Sequence, residues 1–471
     1  SRSGDEGTIH YTLDGSVPTV VSPIYDAPLS IETSTQVRAM LAVPGEDDSQ
    51  ITATRLIRLS PELSGFESPL PTMVFHNFGA GDIPNKRAHN PPASDGGGIT
   101  QVPRQASLTA FVDRNSRLSE TEPLLSRAGI RVRGSSSSNQ PKGKQSLSIE
   151  AWNEKGEELA IAPFEMPEES DWVLYAPYRY DRALIRNSLV YELYRQMGHY
   201  APRTQLVEVF INTEGGELTN ADRVGVFTFM EKVKRDRDRV AFSRMSQEGS
   251  TGGWLLQSQR KDPMPADGSS MVPYNFHTAG PNRTLQGPYG GSSGADRGGD
   301  DIPAGYNTFL NFVSPKGYDS TSAQREAIME WFVRFEDTLY GDDYRDPEKG
   351  YQAFLDLPSF IDHYWMVDFS RNVDGLALST YLYLPEQDGK LHMGPVWDYD
   401  RTLGSYDGRV DNTSSGFFGR DRLWYARLFD DPEFVQAAQD RWQTHRLTVF
   451  SDENLNGLID LFADEIPGKV A

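Results

Sequence analysis

Alternating apolar and polar positions dominate the first 230 residues, and a strand period of two therefore precedes any helical period. Residues 9–12 alternate and run into Asp14-Gly15, a tight-turn pair, with Pro18 as a rigid exit. Residues 31–39 and 51–59 read as two more strands, separated by Pro44-Gly45. The pattern resumes at 71–80, an apolar run that predicts a buried strand, followed by a Gly/Pro/Asn-rich loop at 81–98. Further strands are expected at 108–112, 130–133 and 146–151, and 206–212 with 223–231 suit an antiparallel pair. Helical spacing first appears at 182–197, where Leu189, Leu193 and Met197 recur every four residues and Gly198 supplies a stop. Helices are also expected over 322–340, over 358–371 with Pro358 in a tolerated first-turn position, and over 454–466. Between the last two, 380–384 and 391–396 flank a Gln-Asp-Gly turn and predict a hairpin.

Composition narrows the functional classes. The 471-residue chain carries a net charge of −21, which disfavours nucleic-acid backbones and anionic membranes as partners. It has no cysteine, which removes disulfide frameworks, Cys-ligated metal and thiol nucleophiles. No apolar run is long enough to span a bilayer. Length alone predicts two or three domains of roughly 100–200 residues. Residues 262–306, rich in Gly, Pro, Ser and Asp, read as an insertion. Residues 1–7 are polar with no signal peptide, and the 454–466 helix stops five residues short of the end, so a piece of a longer precursor is expected.

The first 60 residues carry a recognisable order of parts. "YTLDGSVPT" (11–19), "SPIYDAPLSI" (22–31) and "TSTQVRAML" (33–41) resemble the Ig-like module found at the C-terminus of chitobiase and β-hexosaminidase, here without its first strands. The resemblance implies a spacer or scaffold, with carbohydrate contact as the alternative.

Chemistry concentrates elsewhere. Residues 133–148 form a Gly-Ser loop with Lys142 and Lys144, whose small residues permit close backbone approach to a ligand. It lacks the GxxxxGK[ST] spacing of a Walker loop. Gly290–Gly294 matches GxSxG, but without the strand and helix that a nucleophile elbow requires. The eight histidines form no HExxH. Asp374 precedes the predicted hairpin, and Asp398 and Asp400 follow it, so the turn can return all three to one end. Convergent carboxylates are hard oxygen ligands for Mg²⁺ or Mn²⁺. Phosphoryl transfer needs a loop over the phosphates, a lysine, a metal-holding carboxylate and a carboxylate facing the attacking hydroxyl. The candidates occur in the same chain order as in protein kinases, with Ser379 five residues after Asp374. Glu231, at the exit of its strand, reads as solvated or as orienting a lysine.

The body resembles the CotH kinase family (spore coat protein H-like), exported bacterial proteins with a divergent kinase fold. The matching stretches include "RVRGSSS…PKGKQSLSIE" (131–150), "DRALIRNSLVYELYRQMG" (181–198), "NVDGLALSTYLY" (372–383) and "GPVWDYDRTLG" (394–404). The resemblance implies an α+β chain: a small N-terminal all-β, Ig-like sandwich module at 1–62 and a kinase-like body at 65–471. It implies Asp374 as the catalytic aspartate, Asp398 as the metal ligand, and Asp400 and Ser379 as further metal-side groups. Arg133, Gly134, Ser135, Lys142 or Lys144, and Glu231 would face the nucleotide; Arg186 and Asn187 belong to a recurrent helix motif. The family often has Asn where this chain has Ser379, a weaker ligand. The implied function is a secreted or cell-surface kinase that uses ATP with Mg²⁺ or Mn²⁺ on Ser/Thr-rich protein segments. The alternatives are AMP transfer, a pseudokinase scaffold whose acidic cluster takes Ca²⁺, and a carbohydrate-active enzyme with paired carboxylates.

Overall fold

A computed structural model describes residues 7–45, 47, 49–85, 103–134, 137–259, 275–277, 309–387, 389–405 and 415–466. The GxSxG match, most of the 262–306 insertion, part of the 81–98 loop and Ser135 lie outside these residues.

The N-terminal module is a three-stranded antiparallel sheet of β1 (Thr8–Thr12), β2 (Thr35–Ala42) and β3 (Thr52–Leu56), in that order. On β2 the alternate residues Gln36, Arg38 and Met40 are buried, as the period of two requires. The expected sandwich is not seen: among the described residues the module has this one sheet. About fifty residues, with a long connection between β1 and β2, supply too few strands for a second layer. The module instead rests on the body. Arg38 lies 3.5 Å from Glu154, Arg55 pairs with the same carboxylate, and Arg58 pairs with Glu217 at 2.8 Å. Backbone bonds between Arg58, Ser60 and Leu218 complete the seam.

A two-residue ladder pairs β4 (Glu67–Ser68) with β7 (Ser116–Arg117). The central element is a closed seven-stranded barrel formed by β5 (Thr72–His76), β6 (Gln105–Val112), β8 (Leu124–Val132), β9 (Leu147–Trp152), β10 (Asp171–Tyr175), β11 (Thr204–Asn212) and β12 (Arg223–Glu231). Around the barrel the order is β10-β12-β11-β5-β6-β8-β9. All pairings are antiparallel except β5 with β11. Every residue of β5 is buried, which explains its continuous apolar reading in place of an alternating one. The interior packs around Trp172, stacked on Phe229 at 5.0 Å, with Phe111, Ile149, Leu174 and Val209.

Helix α1 (Arg186–Gln196) follows β10. It starts four residues later than its periodicity predicts. Leu184 has a left-handed φ of 65°, and the Asp181 carboxylate accepts the Arg186 amide at 2.8 Å, capping the helix there.

The second half of the body is a five-stranded sheet packed with helices. Its strands are β13 (Trp254–Ser258), β14 (Asn275–His277), β15 (Phe309–Ser314), β16 (Thr380–Leu384) and β17 (His392–Met393), in the order β14-β15-β13-β16-β17. The helices are α2 (Ser322–Leu339), α3 (Leu357–Ser370), the short α4 (Tyr425–Leu428), α5 (Pro432–Leu447) and α6 (Asp452–Asp464). The predicted hairpin is present as β16–β17, though its second strand is only two residues long. Leu391 pairs instead with Leu355. At the centre of α3, Asp362 is fully buried. It accepts His199 at 2.6 Å and His445 at 2.7 Å, and also pairs with Arg441. This carboxylate ties α3 to α5 and to the turn after α1. No helix among the described residues is long and apolar enough to cross a membrane.

Trp172 carries the barrel core, so Trp172→Ala should cost about 3–5 kcal/mol of unfolding free energy in urea titrations; a loss below about 1 kcal/mol would mean the barrel does not depend on this ring.

Candidate active site

The site is assembled where α3 ends. Arg371 caps α3 in the left-handed conformation, and the chain then enters a tight turn. Within it the Asp374 amide donates to the Asn372 side chain at 3.1 Å, and the Asp374 carbonyl accepts the amides of Ala377 and Leu378. Two flanking groups brace this loop. Arg422 donates to the carbonyls of Val373 and Gly375 at 3.2 and 2.9 Å, and the Ser258 hydroxyl at the end of β13 donates to Ala377 at 2.8 Å. The loop exits through Ser379 into β16.

After β17 the chain returns as Trp397-Asp398-Tyr399-Asp400. Helix α1 holds this return by its polar positions. The Asn187 side-chain carbonyl accepts the Tyr399 amide at 2.7 Å, and the Tyr191 hydroxyl accepts the Asp398 amide at 3.1 Å. The Tyr191 ring stacks on Trp397 with centroids 6.2 Å apart. Arg186, paired with Asp181 at 2.6 Å, reaches the Leu403 carbonyl at 3.4 Å. The recurrent Arg-Asn pair of this helix therefore acts on the loop's backbone.

A side-chain hydrogen bond joins the two stretches of chain. The Ser379 hydroxyl donates to Asp398 Oδ2 at 3.0 Å. Both residues have left-handed backbones, with φ of 52° and 66°. Non-glycine residues in that region carry roughly 1–3 kcal/mol of strain each and persist only where neighbours fix them. Asp374 lies close enough for its charge to act on Asp398.

Electrostatics set the character of the site. Burial raises the Asp398 carboxyl above its ordinary value; the Ser379 hydrogen bond opposes the rise, the Asp374 charge reinforces it, and Arg133 and Arg401 oppose it. Burial, with the neighbouring Asp398 charge, pushes Asp400 up to about 8, against the hydrogen bond donated by the Tyr175 hydroxyl at 2.6 Å. A carboxylate pair with raised proton affinity, Asp400 buried and Asp398 partly so, is short of positive charge, which a divalent cation would supply.

The remaining sequence candidates fall into different places. Arg133 stands over the Trp397 ring at 5.3 Å and acts on Asp398, so it belongs to the site. Gly134 has φ of +88°, and a Cβ there would collide with the Ser137 hydroxyl, so the tight loop after Arg133 requires glycine. Lys142 pairs on the surface with Asp82 at 2.5 Å and Glu214 at 3.7 Å. Lys144 lies over the Phe227 ring at 5.3 Å, and desolvation lowers its pKa against the pull of Glu208. Glu231 is neither solvated nor bound to a lysine. It is fully buried and accepts the Arg203 guanidinium at 2.6 Å, the Arg203 amide at 2.9 Å and the Tyr200 hydroxyl at 3.1 Å.

Asp374, Asp398 and Asp400 do not form a closed three-carboxylate cluster. Among the described residues the group that does is Glu150, Glu158 and Asp171, with ligand oxygens within 4.8 Å of one another. Cations already occupy it: Arg104 pairs with Glu150 at 3.0 Å, and Lys232 and Lys234 each pair with Asp171 at 3.0 Å. Burial alone would raise the Asp171 carboxyl, but the two lysines hold it well below the usual range. A metal there would have to displace them, so the group is an ion-pair network.

Sequence reasoning missed Tyr175, Tyr191 and Gln259. The tyrosines sit in the "DWVLYAPYRYDR" and "RNSLVYELY" stretches, where a hydroxyl next to apolar neighbours was the available signal. Gln259 borders the low-complexity segment and carries no signal of its own.

The family described as CotH kinase protein matches residues 130–470, and the family described as Fn3 associated matches residues 2–56. No curated protein matches the chain. The body match begins within β8, so β5 and β6, which close the barrel, precede it.

Asp400 binds its proton more tightly in the folded than in the unfolded chain. Its contribution to stability is therefore full below the unfolded carboxylate value of about 4 and is lost as pH rises through about 8. Chelator-treated protein should lose thermal stability over that window, and Asp400→Asn should flatten the profile. Equal pH slopes in both proteins would contradict the assignment.

Proposed function

This chain belongs to the CotH kinase family, and from that premise we propose that it transfers the γ-phosphoryl group of ATP to Ser/Thr hydroxyls of protein substrates with a divalent metal. The observation that carries the reading is the Ser379–Asp398 contact, which joins the Asp374 loop to the Asp398–Asp400 loop beneath the barrel.

In this reading Asp374 orients the acceptor hydroxyl and takes its proton. The hydroxyl oxygen then bonds to the γ-phosphorus, the bond from that phosphorus to the β–γ bridging oxygen breaks, and ADP leaves with the electron pair. Asp398 and Asp400 fit a metal because they are hard oxygen donors whose burial is only partly offset by the hydroxyls and arginines around them. Mg²⁺ or Mn²⁺, when bound, supplies positive charge to phosphate oxygens. The Tyr175 hydroxyl holds Asp400, and Ser379 holds Asp398, before any cation arrives. Arg133, stacked on Trp397 at the barrel edge, brings a fixed guanidinium to the same place. Lys144 is the better of the two loop lysines for a phosphate, since Lys142 is committed to Asp82.

Action at the cell surface or outside the cell, on Ser/Thr-rich segments, rests on the family resemblance. A scaffold role is supported by one observation, the hydroxyl of Ser379 where an amide ligand is usual.

Labelled ATP with Mn²⁺ separates the readings. Wild type should label itself or a Ser-rich peptide, and Asp374→Asn and Asp398→Asn should each lower the rate at least about 100-fold with folding retained. No labelling by wild type would remove the kinase reading and leave the scaffold. Intact-mass analysis of the product distinguishes phosphate from AMP.

A further inference from the structure

The Ser379 hydroxyl joins two side chains from different parts of the chain. It has one proton and two lone pairs. The proton is committed to Asp398 Oδ2 at 3.0 Å, and one lone pair accepts the Gln259 side-chain amide at 3.0 Å. Gln259 follows directly on β13. Its neighbour Ser258 stands opposite Thr380 in register and donates its hydroxyl to Ala377. Two successive residues at the end of β13 therefore grip the loop that carries Asp374 and Ser379, the first by the backbone and the second by a side chain.

We infer that Gln259, the residue after β13, is a positioning residue of the metal site, fixing the Ser379 oxygen whose hydroxyl donates to Asp398. The inference rests on the reading of Asp398 as a metal ligand. An asparagine at 379 would bring its own amide to Asp398. A serine hydroxyl rotates freely unless something fixes its oxygen. Gln259 fixes it, so that the hydroxyl proton faces Asp398 and the remaining lone pair keeps one direction. The left-handed backbones of Ser379 and Asp398 already aim the two side chains at each other, and Gln259 removes the last rotor. Groups that orient a ligand in this way typically change metal affinity by 10–100-fold when removed.

The test is Mn²⁺ affinity, read by electron paramagnetic resonance on the full chain without nucleotide. Unfolding curves should first establish that each variant is folded. Gln259→Ala should weaken Mn²⁺ binding about tenfold. The double variant Gln259→Ala with Ser379→Asn should return to within about twofold of wild type, because the longer side chain carries its own amide; a merely structural role for Gln259 would not be rescued at residue 379. Wild-type affinity in Gln259→Ala, or a double variant as weak as the single one, would overturn the inference while Asp398→Asn still abolishes binding. Unchanged Mn²⁺ binding in Asp398→Asn would instead overturn the reading of Asp398 and the inference with it.

Discussion

Two side chains of one helix, Asn187 and Tyr191, hold the backbone of Tyr399 and Asp398, and the site depends on that grip. A carboxylate on a left-handed, partly buried residue is unfavourable three times over: in backbone strain, in desolvation and in repulsion from Asp374 and Asp400. The Arg401 charge, in the loop itself, and the Ser379 hydrogen bond offset part of these costs. The backbone conformation is held from α1, through Asn187 and Tyr191. Arg186 extends the same grip to Leu403, and Asp181 both caps the helix and pairs with Arg186. The start of α1, the position of Asp398 and the burial of Asp400 are thus one constraint seen from three places.

The charge pattern follows from it. The molecule has two acidic concentrations, and they are treated in opposite ways. Around Glu150 and Asp171, lysines and Arg104 close in and the carboxylates are paired. Around Asp398 and Asp400 the hydroxyls of Ser379 and Tyr175 and the nearby arginines offset only part of the cost of burial and of carboxylate repulsion, so proton affinity rises. A paired network serves rigidity; a pair left short of positive charge is suited to a cation. Geometry alone would have selected the first cluster as the metal site, and the cations around it decide against that choice.

Much of this was legible in the residues. Strand patterns located six of the seven barrel strands but not β10, and β12 and β16 agree with their predicted limits to the residue. The hairpin correctly brought Asp374 and Asp398 to one place. What failed did so for tertiary reasons. Glu231 looked idle at a strand end, because Arg203 and Tyr200 approach it from the segment just before β11. α5 was invisible because only Phe434 and Ala438, with His445, are buried along its sixteen residues. The Ig-like reading of the module was right in its parts list but anticipated a second sheet, whereas Arg38 and Arg55 turn the sheet's inner face toward Glu154 of the body. Gln259 was unreadable because its partner lies 120 residues away.

The central claim is that α1 sets the conformation of the Asp398 loop. Hydrogen exchange of the backbone amides of residues 397–403, compared between wild type and Asn187→Ala, tests it most directly. The Asp398 and Tyr399 amides should be strongly protected in wild type. In the variant that protection should fall at least about tenfold, equivalent to roughly 1.4 kcal/mol of local opening, while α1 and the barrel strands stay protected. Unchanged protection at Asp398 and Tyr399 would contradict it and place the source of the loop's conformation elsewhere.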